Sequence, residues 1–400
     1  MIQNALLEKF AQFTTADELK EAGLYPYFRP IEENHDTEVV IGGRRLLMFG
    51  SNSYMGLTNH PRVKEAAKKA IERYGSSCSG SRFLNGTSRL HLELEERLAA
   101  FVGKEAALLF TTGFQTNLGT VSSLIGRHGV ILLDELDHAS IIEGSRLSFS
   151  RVLKFAHNDM HDLEDLLKSL PYEKLKMIVV DGIFSMEGDI CDLPEITTLA
   201  EKYGALVMVD DAHSFGVLGR NGRGTADHFG LTKNVDIIMS TFSKSLASVG
   251  GFVAGSQQMI DFLMHHSRPL IFSASIPPSA AAAALAALDI IQSEPERLEA
   301  LWDNTAYVTR AIREIGFDTS CSETPIIPIY IRDNQRTFRF TQRLFEEGIF
   351  VNPVVSPAVR SDSSMIRMSI MATHTRNQLD EAIDKIEKVA SELQVFALKN

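Results

Sequence analysis

The chain has 400 residues, more than one ordinary core carries, so a large domain and a smaller one are expected. A hydrophobic fraction of 44% against 23% charged residues describes a soluble globular protein, and a formal net charge of -11 argues against a nucleic-acid partner. Three cysteines, Cys78, Cys191 and Cys321, lie far apart with no CxxC pair, which predicts a reducing, cytoplasmic setting and no metal site.

The N-terminus has no basic stretch leading into an apolar core, so no signal peptide is expected. The longest soft stretch, Pro278 to Ile291, is too short for a bilayer span, which needs roughly 20 residues. Any membrane contact would be peripheral.

From Ala5 to Ala22, Leu6, Leu7, Phe10, Phe13 and Leu19 recur at helical spacing, which predicts one amphipathic helix. It reads as a dimer-contact or entrance element, with a plain packing helix the equal alternative. Tyr25 to Arg44 is irregular with short strands. The strand Leu46 to Phe49 leads into Ser51-Asn52-Ser53-Tyr54, where Asn52 alone passes for a turn former.

His60-Pro61 opens a helix to Tyr74. The loop Gly75 to Thr87 has the glycine spacing of a P-loop, but Ser81 and Arg82 stand where Lys and Ser/Thr should follow, so the nucleotide reading is rejected. A helix from Leu90 to Phe101 precedes the strand Ala106 to Phe110. Thr111-Thr112-Gly113-Phe114 then feeds another helix. A glycine turn at a helix N-terminus offers free N–H groups to an anion, although an ordinary strand-to-helix turn fits equally well.

Val130 to Leu133 is a buried strand ending near His138, and Met177 to Val180 one ending at Asp181. A helix from Leu193 to Tyr203 precedes the strand Ala205 to Asp210. This βαβα rhythm implies a largely parallel α/β sheet with ligands at the strand C-termini. Gly216, Gly219, Gly222 and Gly224 do not follow GxGxxG, and no ribose-binding acid follows at the right distance, which argues against a nicotinamide enzyme.

Lys244 follows the apolar run Val235 to Met239 and precedes Gly250-Gly251. Asp210 ends its own strand. A strand-end lysine of lowered pKa can form a Schiff base, and a carboxylate in the same crevice can keep a pyridine nitrogen protonated. Pyridoxal phosphate needs that pair. Either residue alone would pass as a solvated side chain or a turn former. Together, with His213 and Thr241, they favour the cofactor.

After Ala280 the pattern changes to an alanine-rich helix and a charged one, Glu294 to Ile315. A small α+β unit follows: strand Ile326 to Ile331, helix Thr337 to Glu346, strands Ile349 to Asn352 and Ile366 to Ile370, and a helix from Arg376 to Leu393. Alternation puts Arg367 and Ser369 on one face, and an apolar setting suits Arg367 to a bidentate carboxylate contact. The expected division is an arm at 1–45, a cofactor-binding α/β domain at 46–280 and a small C-terminal domain at 281–400.

Asp210-Asp211-Ala212-His213, Thr241-Phe242-Ser243-Lys244 and Asp181-Gly182-Ile183-Phe184-Ser185-Met186-Glu187-Gly188-Asp189 resemble the α-oxoamine synthases. These are fold-type I pyridoxal-phosphate enzymes that join an amino acid to an acyl-CoA with loss of carbon dioxide. Within them the chain is most similar, from about Leu19 to its end, to soluble bacterial serine palmitoyltransferases. The resemblance implies L-serine and palmitoyl-CoA as substrates and a homodimer with shared sites. It implies Lys244 as Schiff-base lysine and general base, with Asp210 at the pyridine nitrogen. His138 stacks on the ring, and His213 and Ser185 bond the phenolic oxygen. Gly113, Phe114, Thr241 and Ser243 hold the phosphate, with Ser273 from the partner subunit. Asn52, His138 and Arg367 take the substrate carboxylate, and Ser81 belongs to a loop selecting the amino acid. One departure is Val355, where some relatives carry a second arginine; Arg360 is out of register. Sister enzymes, glycine C-acetyltransferase and 8-amino-7-oxononanoate synthase, are the alternatives.

Overall fold

The computed structural model describes residues 2–396, so the outermost residues of the expected arm and C-terminal unit lie outside it. Its centre is a seven-stranded sheet. In spatial order the strands are Ala106–Phe110, Gly251–Gly255, Ile237–Thr241, Leu206–Asp210, Lys176–Asp181, Val130–Asp134 and Arg151–Phe155. All are parallel except Gly251–Gly255, which runs against both neighbours. The fold is the mixed, mostly parallel α/β architecture expected.

The central strands are apolar throughout because both faces are covered. Ile178, Val180, Val207, Val209 and Ile238 join one buried cluster, while Met177, Val179, Met208, Ile237 and Met239 join another. Alternation along a strand sorts them. Gly113–Leu124, Ala139–Leu147 and Gln257–His266 cover the second face. Arg89–Val102, Leu193–Tyr203 and Pro278–Ser293 cover the first. None of the described helices is long and apolar enough to cross a membrane.

Two smaller sheets complete the chain. Ile326–Tyr330, Met365–Ser369 and Asn352–Val354 form one, antiparallel, with Arg367 opposite Pro328 and Asn352. Glu33–Asn34, Glu38–Ile41 and Arg44–Met48 form the other, completed by Ile349–Phe350 in parallel.

The expected helix from Ala5 to Ala22 is instead two, Ile2–Ala11 and Thr15–Glu21. The chain leaves the helix at Gln12, Phe13 and Thr14 and re-enters it at Thr15, so the apolar spacing runs across a break in the backbone pattern. Leu6, Leu7, Phe10 and Phe13 stay exposed, so this is not a helix packed within its own chain. Further along, the arm is anchored by Arg29, which donates to Gln342 at 2.7 Å and lies over the Phe345 ring.

Candidate active site

The parallel strands deliver their C-terminal residues to one crevice. Asp181 and Asp210 are register partners on neighbouring strands, and Thr241 ends the next. A cavity of about 280 Å3 opens there, lined by Gly113, Phe114, Asn117, His138, Asp210, His213, Thr241, Ser243 and Lys244 among others. It adjoins a wider one of about 580 Å3, lined by Tyr27, Asn52, Ser185, Val355 and Arg367. His138, His213, Ser243 and Lys244 belong to both walls.

At one end of the smaller cavity Gly113 opens the helix Gly113–Leu124, capped by the Thr112 side chain, which accepts from Gln115 N at 3.1 Å. First-turn N–H groups have no carbonyl four residues earlier to bond. A Cβ on Gly113 would stand 2.7 Å from the Thr241 hydroxyl, so only glycine permits this close approach. Thr241 and Ser243 hydroxyls lie 2.9 Å apart beside it. Free N–H groups, a helix dipole and two hydroxyls make a cradle that fits a phosphate.

At the other end Asp210 is buried and held from both sides. Its Oδ2 accepts from Asn117 at 2.6 Å and its Oδ1 from Ala212 N at 2.9 Å. Asn117 also donates to Ser140 at 2.8 Å, and the Ser140 hydroxyl lies 2.7 Å from His138 Nδ1. A continuous hydrogen-bonded path therefore joins Asp210 to His138. Burial pushes the Asp181 carboxyl well above the usual carboxylate range.

Lys244 faces the open cavity, so its surface is only half-buried, yet the protein around it desolvates its ammonium. That lowering outweighs the attraction of Asp210 and Asp181 and brings its pKa down to about 8. Such an amine can be both nucleophile and proton carrier near neutral pH. His213 is buried, and burial together with Lys244 and Arg367 holds it well below the usual histidine range.

In the wider cavity Arg367 donates through Nε to the Ser185 carbonyl at 2.6 Å. Its Nη1 reaches Asn52 Oδ1 at 3.0 Å and Ser369 at 2.7 Å. Arg367 Nη2 is buried with no hydrogen-bond partner among the described residues. A buried guanidinium with one idle edge is poised for an anion.

Two expected residues lie elsewhere. Ser81 bridges to Ala274 outside both linings, with its hydroxyl buried and unpartnered. Ser273 also lies outside them and accepts from Gln115 at 3.0 Å. Arg360 is exposed and paired with Asp362, so it does not stand in for an arginine at Val355. Conversely, Asn117, Ser140 and Tyr54 belong to the site and were not singled out from the sequence. Spacing could have found one of them: Asn117 is one helical turn beyond Gly113, on the same helix face.

Behind the crevice His157 bridges Asp134, at 3.0 Å from Nδ1, and Asp189, at 2.9 Å from Nε2. Burial disfavours its cation, but the two carboxylates outweigh that and push its pKa up to about 10. The clamp joins the loop carrying His138 to the one carrying Ser185. His157→Ala should cost ~3–5 kcal/mol at neutral pH by leaving paired carboxylates uncompensated. A histidine pKa raised from 6.5 to about 10 gives stability that is full below 6.5 and lost as pH rises through 10. The gap between parent and variant in urea unfolding should therefore close at alkaline pH. Equal stability at pH ~6, below the unfolded-state pKa and so in the plateau of this linkage, would refute the clamp.

Residues 44–386 match the family model described as aminotransferase class I and II. A serine palmitoyltransferase of Sphingobacterium spiritivorum is 57% identical over 398 residues, covering 100% of both chains. One from Bacteroides thetaiotaomicron is 54% identical over 391 residues, 98% of this chain and 99% of the other. Among solved structures, serine palmitoyltransferase of S. paucimobilis with PLP and myriocin bound superposes with a TM-score of 0.95. It is 35% identical and covers 98% of this chain and 100% of its own.

Proposed function

The chain belongs to the class I and II aminotransferase family and, within it, to the serine palmitoyltransferases, and from that premise we propose that it condenses L-serine with palmitoyl-CoA. The observation that carries the reading is Arg367, buried with an idle Nη2, in the same crevice as a lysine of pKa about 8. Amino-acid carboxylate and Cα are thereby offered a grip and a base side by side.

The crevice fits pyridoxal phosphate. Gly113, Phe114, Thr241 and Ser243 would hold the phosphate, Asp210 the pyridine nitrogen, and His213 with Ser185 the phenolic oxygen. His138 would cover the ring face and Lys244 would hold the aldehyde carbon. When bound, this group takes up the electron pair left on a substrate carbon. Arg367 and Asn52 clamp the serine carboxylate, which orients the Cα–H bond toward Lys244. The Lys244 amine takes the Cα proton and later returns one. Overall, a bond forms between serine Cα and the acyl carbon, and the thioester C–S bond breaks to release coenzyme A. The carboxyl leaves as carbon dioxide, giving 3-oxosphinganine.

We also read the working form as a homodimer. Phe272 is 74% exposed and Leu84 80% exposed. Their two loops are tied by Ser275, which donates to Gly86 O at 2.7 Å, and by the Ser81–Ala274 bridge. Phe114 and Val249, also exposed, line the cavity rim next to them. A second copy covering this apolar rim would bring Ser273 and Ser81 to its partner's site. Phe272→Asp should halve the mass seen by light scattering and loosen the cofactor. A variant that stays dimeric contradicts this assignment.

The function is tested by incubating the purified protein with L-serine and palmitoyl-CoA and identifying the product by mass. A long-chain amino ketone lacking the serine carboxyl supports it. Absence of that product, with coenzyme A released from another pair, transfers the chain to a sister enzyme.

A further inference from the structure

Tyr54 sits two residues after Asn52, is 1% exposed, and places its hydroxyl 2.7 Å from His213 Nδ1. Burial raises its pKa, so the phenol keeps its proton. That proton has two acceptors within reach. Asn52 Oδ1 is 3.5 Å away, at the limit of a hydrogen bond, and already accepts from Arg367 at 3.0 Å. His213 Nδ1 is the shorter and otherwise unpartnered choice.

We infer that Tyr54 is a positioning residue that donates to His213 Nδ1 and so fixes the single ring N–H of His213 on Nε2. With Nδ1 bonded into the wall, Nε2 occupies the opposite edge of a ring that lines both cavities. His213 is then a hydrogen-bond donor to the crevice and cannot be an acceptor there. A donor suits an ionised phenolic oxygen; the other tautomer would set a lone pair against it. This deepens the proposed function and rests on it for the identity of the oxygen, though the tautomer itself does not. Tyr54, Asn52 and Arg367 also form one contiguous group, so the residues gripping the carboxylate and the one facing the cofactor share a support.

The test is nitrogen-15 NMR of the full chain labelled at histidine, before and after loading with pyridoxal phosphate. The His213 signal is assigned by its loss in His213→Asn. The expected spectrum has a bare Nδ1 and a protonated Nε2. In Tyr54→Phe the proton should spread over both nitrogens, the cofactor's visible band should shift, and kcat should fall about tenfold, the effect of one lost hydrogen bond. The serine KM should change far less. A proton on Nδ1 in the parent protein overturns the inference, as does an unchanged tautomer in Tyr54→Phe. If that variant does not fold, the parent spectrum still decides. A wrong tautomer leaves the proposed function intact, and absence of serine condensation leaves the tautomer standing.

Discussion

Lys244→Ala is expected to lower turnover by at least roughly 1,000-fold, because the proposed role makes one group both the covalent anchor and the general base. The visible absorbance of the lysine-bound cofactor should disappear with it. The protein itself should be no less stable without cofactor. Within the described residues the Lys244 side chain makes no hydrogen bond or ion pair, and its ammonium is desolvated. Removing a cation that burial disfavours costs the fold little. Loss of activity with intact thermal unfolding therefore separates a chemical role from a structural one. Substantial residual turnover without an added amine would refute the base assignment.

Arg367→Ala should raise the serine KM roughly 30- to 700-fold, corresponding to ~2–4 kcal/mol for a buried charge-assisted contact to a carboxylate. Its effect on kcat should be smaller, because the lysine and the cofactor cradle remain. Arg367→Lys should recover little of the loss. An ammonium cannot serve Ser185 O, Asn52 and Ser369 while also presenting a free edge to the substrate. Unchanged serine affinity in Arg367→Ala would remove Arg367 from the carboxylate site.

The residues that ended parallel strands were legible in the sequence. Asp181, Asp210 and Thr241 each close an apolar run, and the geometry of a parallel sheet brings such positions to one crevice. The helix-opening Gly113 was legible for a similar reason. What escaped were partners set by tertiary packing. Nothing local announces that Asn52 meets Arg367 across 315 residues, or Tyr54 His213 across 159. The antiparallel strand Gly251–Gly255 was not legible, because glycines at its ends carry little strand signal. Here a Cβ on Gly251 would stand 2.9 Å from Gly113 Cα, so the residue is small because the cradle packs on it. The arm was misread as one helix because apolar spacing alone cannot register the backbone break at Gln12 to Thr14. The resemblance supplied roles for Ser81 and Ser273, and in one chain both stand outside the cavity walls.

The glycine-rich loop after His213 also has a structural explanation. Asp211 is fully buried, and both of its oxygens accept from Thr225 N. A Cβ on Gly224 would fall 2.1 Å from its Oδ2, and Gly224 has a φ of +105°. That glycine lets the loop close on the carboxylate that follows Asp210, which steadies the strand end carrying the site.

The most direct test of the account is coenzyme A release by the purified protein with L-serine, glycine and L-alanine, each paired with acetyl-, pimeloyl-, succinyl- and palmitoyl-CoA. Selective turnover of serine with palmitoyl-CoA is the expected result. Selective turnover of glycine or alanine with a shorter acyl-CoA would contradict it.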